Sequence, residues 1–412
     1  MRVLGIVAEY NPFHNGHLHH IQKSTEIAGS DYTVCVMSGN FIQRGLPALV
    51  NKWSRAEMAL LNNIDLVIEL PVYYSLSSAE QFAFGSVSIL NSLGIVDSIC
   101  FGSECGNIKI LDEIAKILSE EPEEFKKSLA KHLDTGVSFP SARTLALKDC
   151  IKYQSSNTLA DITSQPNNIL GIEYIKALIK LKSKIKPLTI KRFKADYNST
   201  ETKTEIASAT SIRKIILEKD FGMVKRVMPT SAFEILKREI DQGCGPVLPE
   251  AFETAILTYL RKTDIKSLAN NPDVTEGIEN RIKKASLSSS SLAELLVKIK
   301  TKRYTLTHIQ RIITCALLGL NKEDSDLFNA NGGPQYIRIL GFNSKGKELL
   351  SKIKSSHLPL VTAPHDFLRK CNPVQSKMLN ADITATDIFC LGYPDKSQRQ
   401  AGQDFYQKII SI

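Results

Sequence analysis

No Cys-x-x-Cys pair occurs among the eight cysteines of this chain, and the two nearest, Cys100 and Cys105, are separated by four residues. Zinc hooks come as tighter pairs matched by a second pair, so neither a structural zinc site nor any other resident metal site is expected. Several cysteines lie in apolar runs such as Ser98-Ile99-Cys100-Phe101, where the thiol serves as a small hydrophobe, and this argues against a disulfide scaffold. Also missing is any uncharged apolar run of about 18 residues that could cross a bilayer. The first apolar run is cut short by Glu9, unlike the core of a secretory signal. The expectation is a soluble cytoplasmic protein with no membrane partner. Low complexity and internal repeats are absent too.

The chain has 412 residues, enough for two or three domains, and a 43% apolar content that supports a large core. Its net charge of +9 permits an acidic polymer as partner without requiring one. The first half alternates two periodicities. Strand-like runs at 3–8, 32–37, 65–70 and 97–101 alternate with helical patterns at 17–28, 53–62 and 79–93. Such alternation implies right-handed crossovers and a parallel sheet covered on both faces, an α/β, Rossmann-like architecture. Residues 108–157 turn helical and charged, as an insertion, and 188–193 read as a further strand. Beyond residue 205 nearly everything looks helical, with breaks at Gly243-Cys244-Gly245-Pro246 and Asn331-Gly332-Gly333-Pro334; the apolar run 336–342 is the one possible strand. The expected division is a catalytic domain at 1–205 and a mainly α-helical C-terminal region at 206–412.

The strongest chemical signal is His14-Asn15-Gly16-His17, placed between the first strand and the first helix. His-x-Gly-His is expected by chance about 0.008 times in a chain of this composition. Its placement has a physical logic. Gly16 lets backbone approach a phosphate, the first amides of the helix form an anion site, and two imidazoles donate to oxygens whose charge grows during displacement at phosphorus. His19 and His20 follow on the same helix and read as groove-edge residues. A second segment lies far downstream at Ile206-Ala207-Ser208-Ala209-Thr210-Ser211-Ile212-Arg213, where hydroxyls at a helix start can satisfy free amides and bond phosphate, with an arginine one turn in.

This pairing resembles the HxGH nucleotidyltransferases, and longer stretches narrow the resemblance. Gly5 to His17 (GIVAEYNPFHNGH), Met37 to Gly45 (MSGNFIQRG), Asn51 to Leu60, Asp65 to Pro71, Phe101 to Glu104, Gln165 to Gly171 and Ile206 to Lys214 occur in order. Together they look like the bacterial tRNA(Met) cytidine acetate ligase family, densely to about residue 215 and more loosely to the C-terminus. Leu46 stands where that family commonly carries a glutamate. The resemblance implies an enzyme that activates acetate with ATP as acetyl-adenylate and acetylates N4 of the wobble cytidine of elongator tRNA(Met), with Mg2+ accompanying the ATP. His14, His17, Thr210 and Arg213 then take catalytic roles. The ATP site gathers Val7, Ala8, Glu9, Tyr10, Asn11, Pro12, Phe13, His14, Asn15, Gly16, His17, Leu18, His19 and His20, together with Gly102, Asn167, Arg192 and Ser208.

A tRNA partner also fits the charge distribution. Residues 176–240 carry 16 basic against 7 acidic side chains, and residues 281–311 carry 8 against 1. Lys298, Lys300, Lys302 and Arg303 beside Tyr304 combine phosphate grip with a stacking ring. Gln43, Arg44, Lys52 and Arg55 are candidates for the acyl pocket or the tRNA path, while Trp53 reads as a core anchor. The competing expectation is another HxGH adenylyltransferase, one that loads AMP onto a small precursor. A compact enzyme of that kind has no use for the basic second half.

Overall fold

The computed structural model describes residues 1–137, 139–151, 159–192, 207–301, 303–353 and 357–412. Its strands are β1 (Val3–Ala8), β2 (Tyr32–Ser38), β3 (Phe41–Ile42), β4 (Leu46–Pro47), β5 (Leu66–Leu70), β6 (Ser98–Ser103), β7 (Lys186–Lys191), β8 (Ile337–Phe342), β9 (Leu360–Val361) and β10 (Ile410–Ser411). The main sheet runs β10-β8-β5-β2-β1-β6-β7, with β9 also on β8. The β5-β2-β1-β6-β7 portion is parallel throughout, as the alternating pattern requires.

Two apolar cores flank this sheet. One packs Ile89, Leu90, Ile172 and Ile175, from the helices Ala79–Ser92 and Pro166–Lys180, against Val34, Val36 and Ile68. The other packs Ile21 and Met58, from the helices Asn15–Ala28 and Lys52–Leu60, against Leu4, Ile6, Cys35 and Val67. Strand residues therefore alternate between two buried faces, which is why the strands read as continuous apolar runs rather than as an apolar–polar alternation. Residues 108–150 form helices at Ile108–Glu120, Glu123–Leu133 and Phe139–Cys150, in the expected insertion. Phe193 and most of the segment preceding Ala207 lie outside the described residues.

The C-terminal half is mainly helical, but its boundary with the first half is not a clean cut. β8, the run at 336–342, pairs antiparallel with β5, so the sheet expected to belong to residues 1–205 is completed from the other end of the chain. A purely parallel sheet is thereby corrected to a mixed one. The short hairpin β3–β4, which periodicity missed, is the second point of union. Phe41 packs against Phe252 and Phe389 at ring distances of 6.1 and 6.0 Å, and the Thr314 hydroxyl donates to the Gly45 carbonyl at 2.8 Å. Gly45 adopts φ 75°, and a Cβ there would lie 2.3 Å from the Arg311 backbone nitrogen. Only glycine permits both the turn and that approach.

Candidate active site

In the parallel part of the sheet, strand order reverses direction at β1: β2 lies on one side of it and β6 on the other. Crossovers leave in opposite directions from such a switch point, opening a crevice at the carboxyl ends of the strands. The chain leaves β1 into that crevice. Tyr10 takes a left-handed φ of 47° to turn it, Tyr10 and Phe13 bury their rings 4.8 Å apart, and the Asn11 side chain accepts the Leu49 N–H at 2.7 Å. Of the segment expected to line the nucleotide site, Tyr10, Asn11 and Phe13 thus point inward. Their side chains shape the turn that carries the chain into the crevice.

The turn delivers His14 as the N-cap of the helix Asn15–Ala28. His14 Nδ1 accepts the Gly16 N–H at 3.0 Å, and His17 Nδ1 accepts the His14 N–H at 3.3 Å, a capping box built from two imidazoles. The rings stack 3.7 Å apart. Burial pushes His14 and His20 down to about 4, with Arg192 adding to the effect, and holds His17 well below the ordinary histidine value. Both rings of the motif are therefore neutral near pH 7. A neutral imidazole whose Nδ1 accepts must carry its proton on Nε2. The local fold accordingly fixes both tautomers, and the motif presents two Nε2–H donors at the positive end of a helix dipole.

Cations gather around this pair. Arg192 follows β7, donates its backbone N–H to the Ser103 carbonyl at 2.9 Å, and lies against Gly102, where an added Cβ would meet its Cγ at 3.0 Å. Its charge acts on His14, His17 and His20 together, which places it over the same cleft. Arg213 approaches from the far segment: its guanidinium donates to the Asn11 carbonyl at 3.0 Å and to the Thr210 hydroxyl at 3.2 Å. Ser208 caps that helix, accepting the Ser211 N–H at 3.1 Å. Arg44, exposed on the β3–β4 turn, acts on Arg213 as a like charge. Arginines from three distant segments, flanking neutral donors, make a receptor for a polyanion.

Asn167, expected in the ATP site, is held by an acid at the end of β6. Its side chain donates to Glu104 Oε1 at 2.6 Å, and the backbone N–H groups of Asn167 and Asn168 also donate to the Glu104 carboxylate. Glu104 satisfies the first amides of the helix Pro166–Lys180 and holds Asn167 beside the end of β6. Nothing in the sequence singled out that acid except its place in the Phe101 to Glu104 motif.

Lys52 and Arg55 require correction as acyl-pocket or tRNA-path residues. Both side chains are 0% exposed. Arg55 donates to the backbone carbonyls of Val50, Glu9, Ser38 and Gly39, bracing the ends of β1 and β2 beneath the cleft. Lys52 pairs with Glu69 at 2.9 Å and Asp404 at 2.8 Å, and Arg338 contacts the same two acids. Trp53 is buried, as a core anchor is. In the basic helical region, Arg303 is paired with Glu276, the Tyr304 hydroxyl donates to the Glu276 carbonyl at 3.3 Å, and Lys298 pairs with Glu294 at 2.7 Å. Lys300 is exposed and has no ion pair among the described residues; Lys302 lies outside them. All eight cysteines are free. Among the described residues, no helix is long and apolar enough to cross a membrane.

A family model for HIGH nucleotidyl transferases matches residues 1–404. A protein of Acetivibrio thermocellus named tRNA(Met) cytidine acetate ligase is 50% identical over the whole of both chains. A protein of the same name from Halothermothrix orenii is 45% identical over all of this chain and 99% of its own. A crystal structure of Thermotoga maritima TmcAL bound with alpha-thio ATP superposes with a TM-score of 0.92 at 38% identity, covering 100% of each chain. The likeness is full-length in both sequence and fold, and the chain belongs to the tRNA(Met) cytidine acetate ligase family of HIGH nucleotidyl transferases.

Proposed function

We propose that the chain is an ATP-dependent ligase that activates acetate and transfers the acetyl group to N4 of the wobble cytidine in elongator tRNA(Met), in the cytoplasm. The observation that carries this reading is the pair of tautomer-fixed imidazoles at the β1 switch point, flanked by Arg192 and Arg213. In the first step an acetate oxygen attacks the α-phosphorus of ATP. The bond to the β-phosphate oxygen breaks, and pyrophosphate leaves with that electron pair. The Nε2–H groups of His14 and His17 donate to α-phosphate oxygens as their charge rises, with the positive end of the helix dipole behind them, while Arg213 and Thr210 receive the departing pyrophosphate. Neutral imidazoles suit this task, because they stabilise charge without surrendering a proton.

Activation is chemically necessary. The N4 lone pair of cytosine is delocalised into the ring, so it reacts with a mixed anhydride and not with free acetate. Among the described residues no cluster of three or more His, Cys, Asp or Glu side chains is placed to hold a metal. Mg2+ is expected to accompany ATP and would neutralise part of its phosphate charge, and no step above is routed through the ion. Arg44 at the cleft rim, and Lys300 with Arg303 and Tyr304 on the helical region, are the proposed contacts to tRNA phosphates and bases.

Incubation of the protein with ATP, radiolabelled acetate and elongator tRNA(Met) should place acid-stable label on the wobble cytidine. Label arriving only from acetyl-CoA would contradict the ligase reading.

A further inference from the structure

One acid of the ATP-site segment sits in this cationic cleft, and acetate activation gives it no proton to take. Glu9 follows β1 directly, and its Oε1 accepts the Gln43 N–H of the β3–β4 hairpin at 2.9 Å. The Glu9 carbonyl is held by Arg55 at 2.7 Å, and the Asn11 carbonyl, two residues on, by Arg213 at 3.0 Å. The carboxylate is thus anchored to the hairpin, within electrostatic reach of the arginine assigned to pyrophosphate. Arg44, Arg55 and Arg213 all act on it electrostatically, yet none closes an ion pair with it, and its Oε2 has no partner among the described residues.

A half-buried carboxylate beside a triphosphate site opposes the site's own purpose, because it repels the nucleotide. Acetate activation gives nothing in return, since acetate attacks as an anion and releases no proton. Acetyl transfer is different: an amine becomes an amide and must lose one proton. We propose that Glu9 is the catalytic residue that takes that proton, a role that rests on the acetyl-transfer reading above. The N4 lone pair attacks the acetyl carbon, and the N–C bond forms. The bond from that carbon to the AMP phosphate oxygen breaks with its electrons going to AMP, and the N4 proton passes to Glu9 Oε2. Burial raises the affinity of this carboxylate for a proton, against the Gln43 amide and the three arginines, which moves it toward the strength a base at neutral pH needs.

Hydroxylamine separates the two half-reactions, since it captures acetyl-adenylate as a hydroxamate and needs no enzymic base. In Glu9→Gln the side-chain oxygen still accepts the Gln43 N–H. For this variant acetylation of tRNA is expected to fall by about 100-fold or more, and at least about tenfold further than acetate-dependent hydroxamate formation. Equal losses in both assays, or ordinary transfer to tRNA, would overturn the assignment. Should the glutamine variant fail to fold, Glu9→Asp decides: transfer must fall further than hydroxamate formation, and parallel losses overturn it. A parent protein that forms no acetate-dependent hydroxamate would sink the ligase reading, not this assignment.

Discussion

Replacing His14 by alanine is expected to abolish acetate-dependent exchange of pyrophosphate into ATP, with kcat falling by about 1000-fold or more. Two losses contribute and they are separable. Alanine removes the Nε2–H donor, and it also removes the Nδ1 acceptor that caps the first helix at the Gly16 amide. The cap alone is worth about 1 kcal/mol of stability, which cannot account for a thousandfold loss of rate in a folded protein. His14→Asn isolates the chemistry: asparagine supplies the capping oxygen but no imidazole donor. It should restore stability to near the parent value and leave exchange abolished. His17→Gln is the matching change, because glutamine completes a capping box from the third helical position. If either of these cap-preserving variants retains ordinary exchange, the motif's role is structural and the transition-state assignment fails.

Lys52→Met is expected to cost about 3–5 kcal/mol of folding stability, read as a lower urea midpoint. The ammonium is fully buried between Glu69 and Asp404, and Arg338 shares both acids. Without Lys52, one guanidinium faces two carboxylates in a site that water does not reach. Asp382, hydrogen-bonded to the Tyr336 hydroxyl and the Val72 N–H, lies near the same group; burial and the charge of Glu69 push it up to about 7. Lys52→Met with Glu69→Gln restores the balance and should recover part of the loss, since the penalty arises from the unpaired charge. A Lys52→Met protein of unchanged stability that had lost tRNA affinity would return the residue to the surface role first expected of it.

The contrast between these residues shows what a single sequence reveals. The β1 to His17 segment was legible because everything it needs is local: an apolar run, a turn, a cap and a helix within 28 residues of the start. The capping box can even be read as a sequence pattern once imidazole nitrogens are allowed to act as the acceptors. Lys52 and Arg55 were misplaced for the opposite reason. Their charge is visible at Asn51-Lys52-Trp53-Ser54-Arg55, but the acids that neutralise Lys52 lie on β5 and in the C-terminal helix Gln403–Tyr406, and the partners of Arg55 are backbone carbonyls. β8 likewise announced itself as an apolar run, yet apolar composition carries no strand direction. Its antiparallel pairing with β5, and hence the fusion of the two halves into one sheet, follows from packing that periodicity does not encode.

Two neutral imidazoles, fixed as Nε2–H donors at the mouth of the first strand–helix turn, are proposed to hold the α-phosphate of ATP ready for displacement. A crystal structure with a non-hydrolysable ATP analogue decides whether they do. His14 Nε2 and His17 Nε2 are expected at hydrogen-bonding distance, about 2.7–3.1 Å, from α-phosphate oxygens, with Arg213 on the terminal phosphates. An analogue seated elsewhere with this cleft empty, or imidazoles turned so that Nδ1 meets the phosphate, would contradict the proposal.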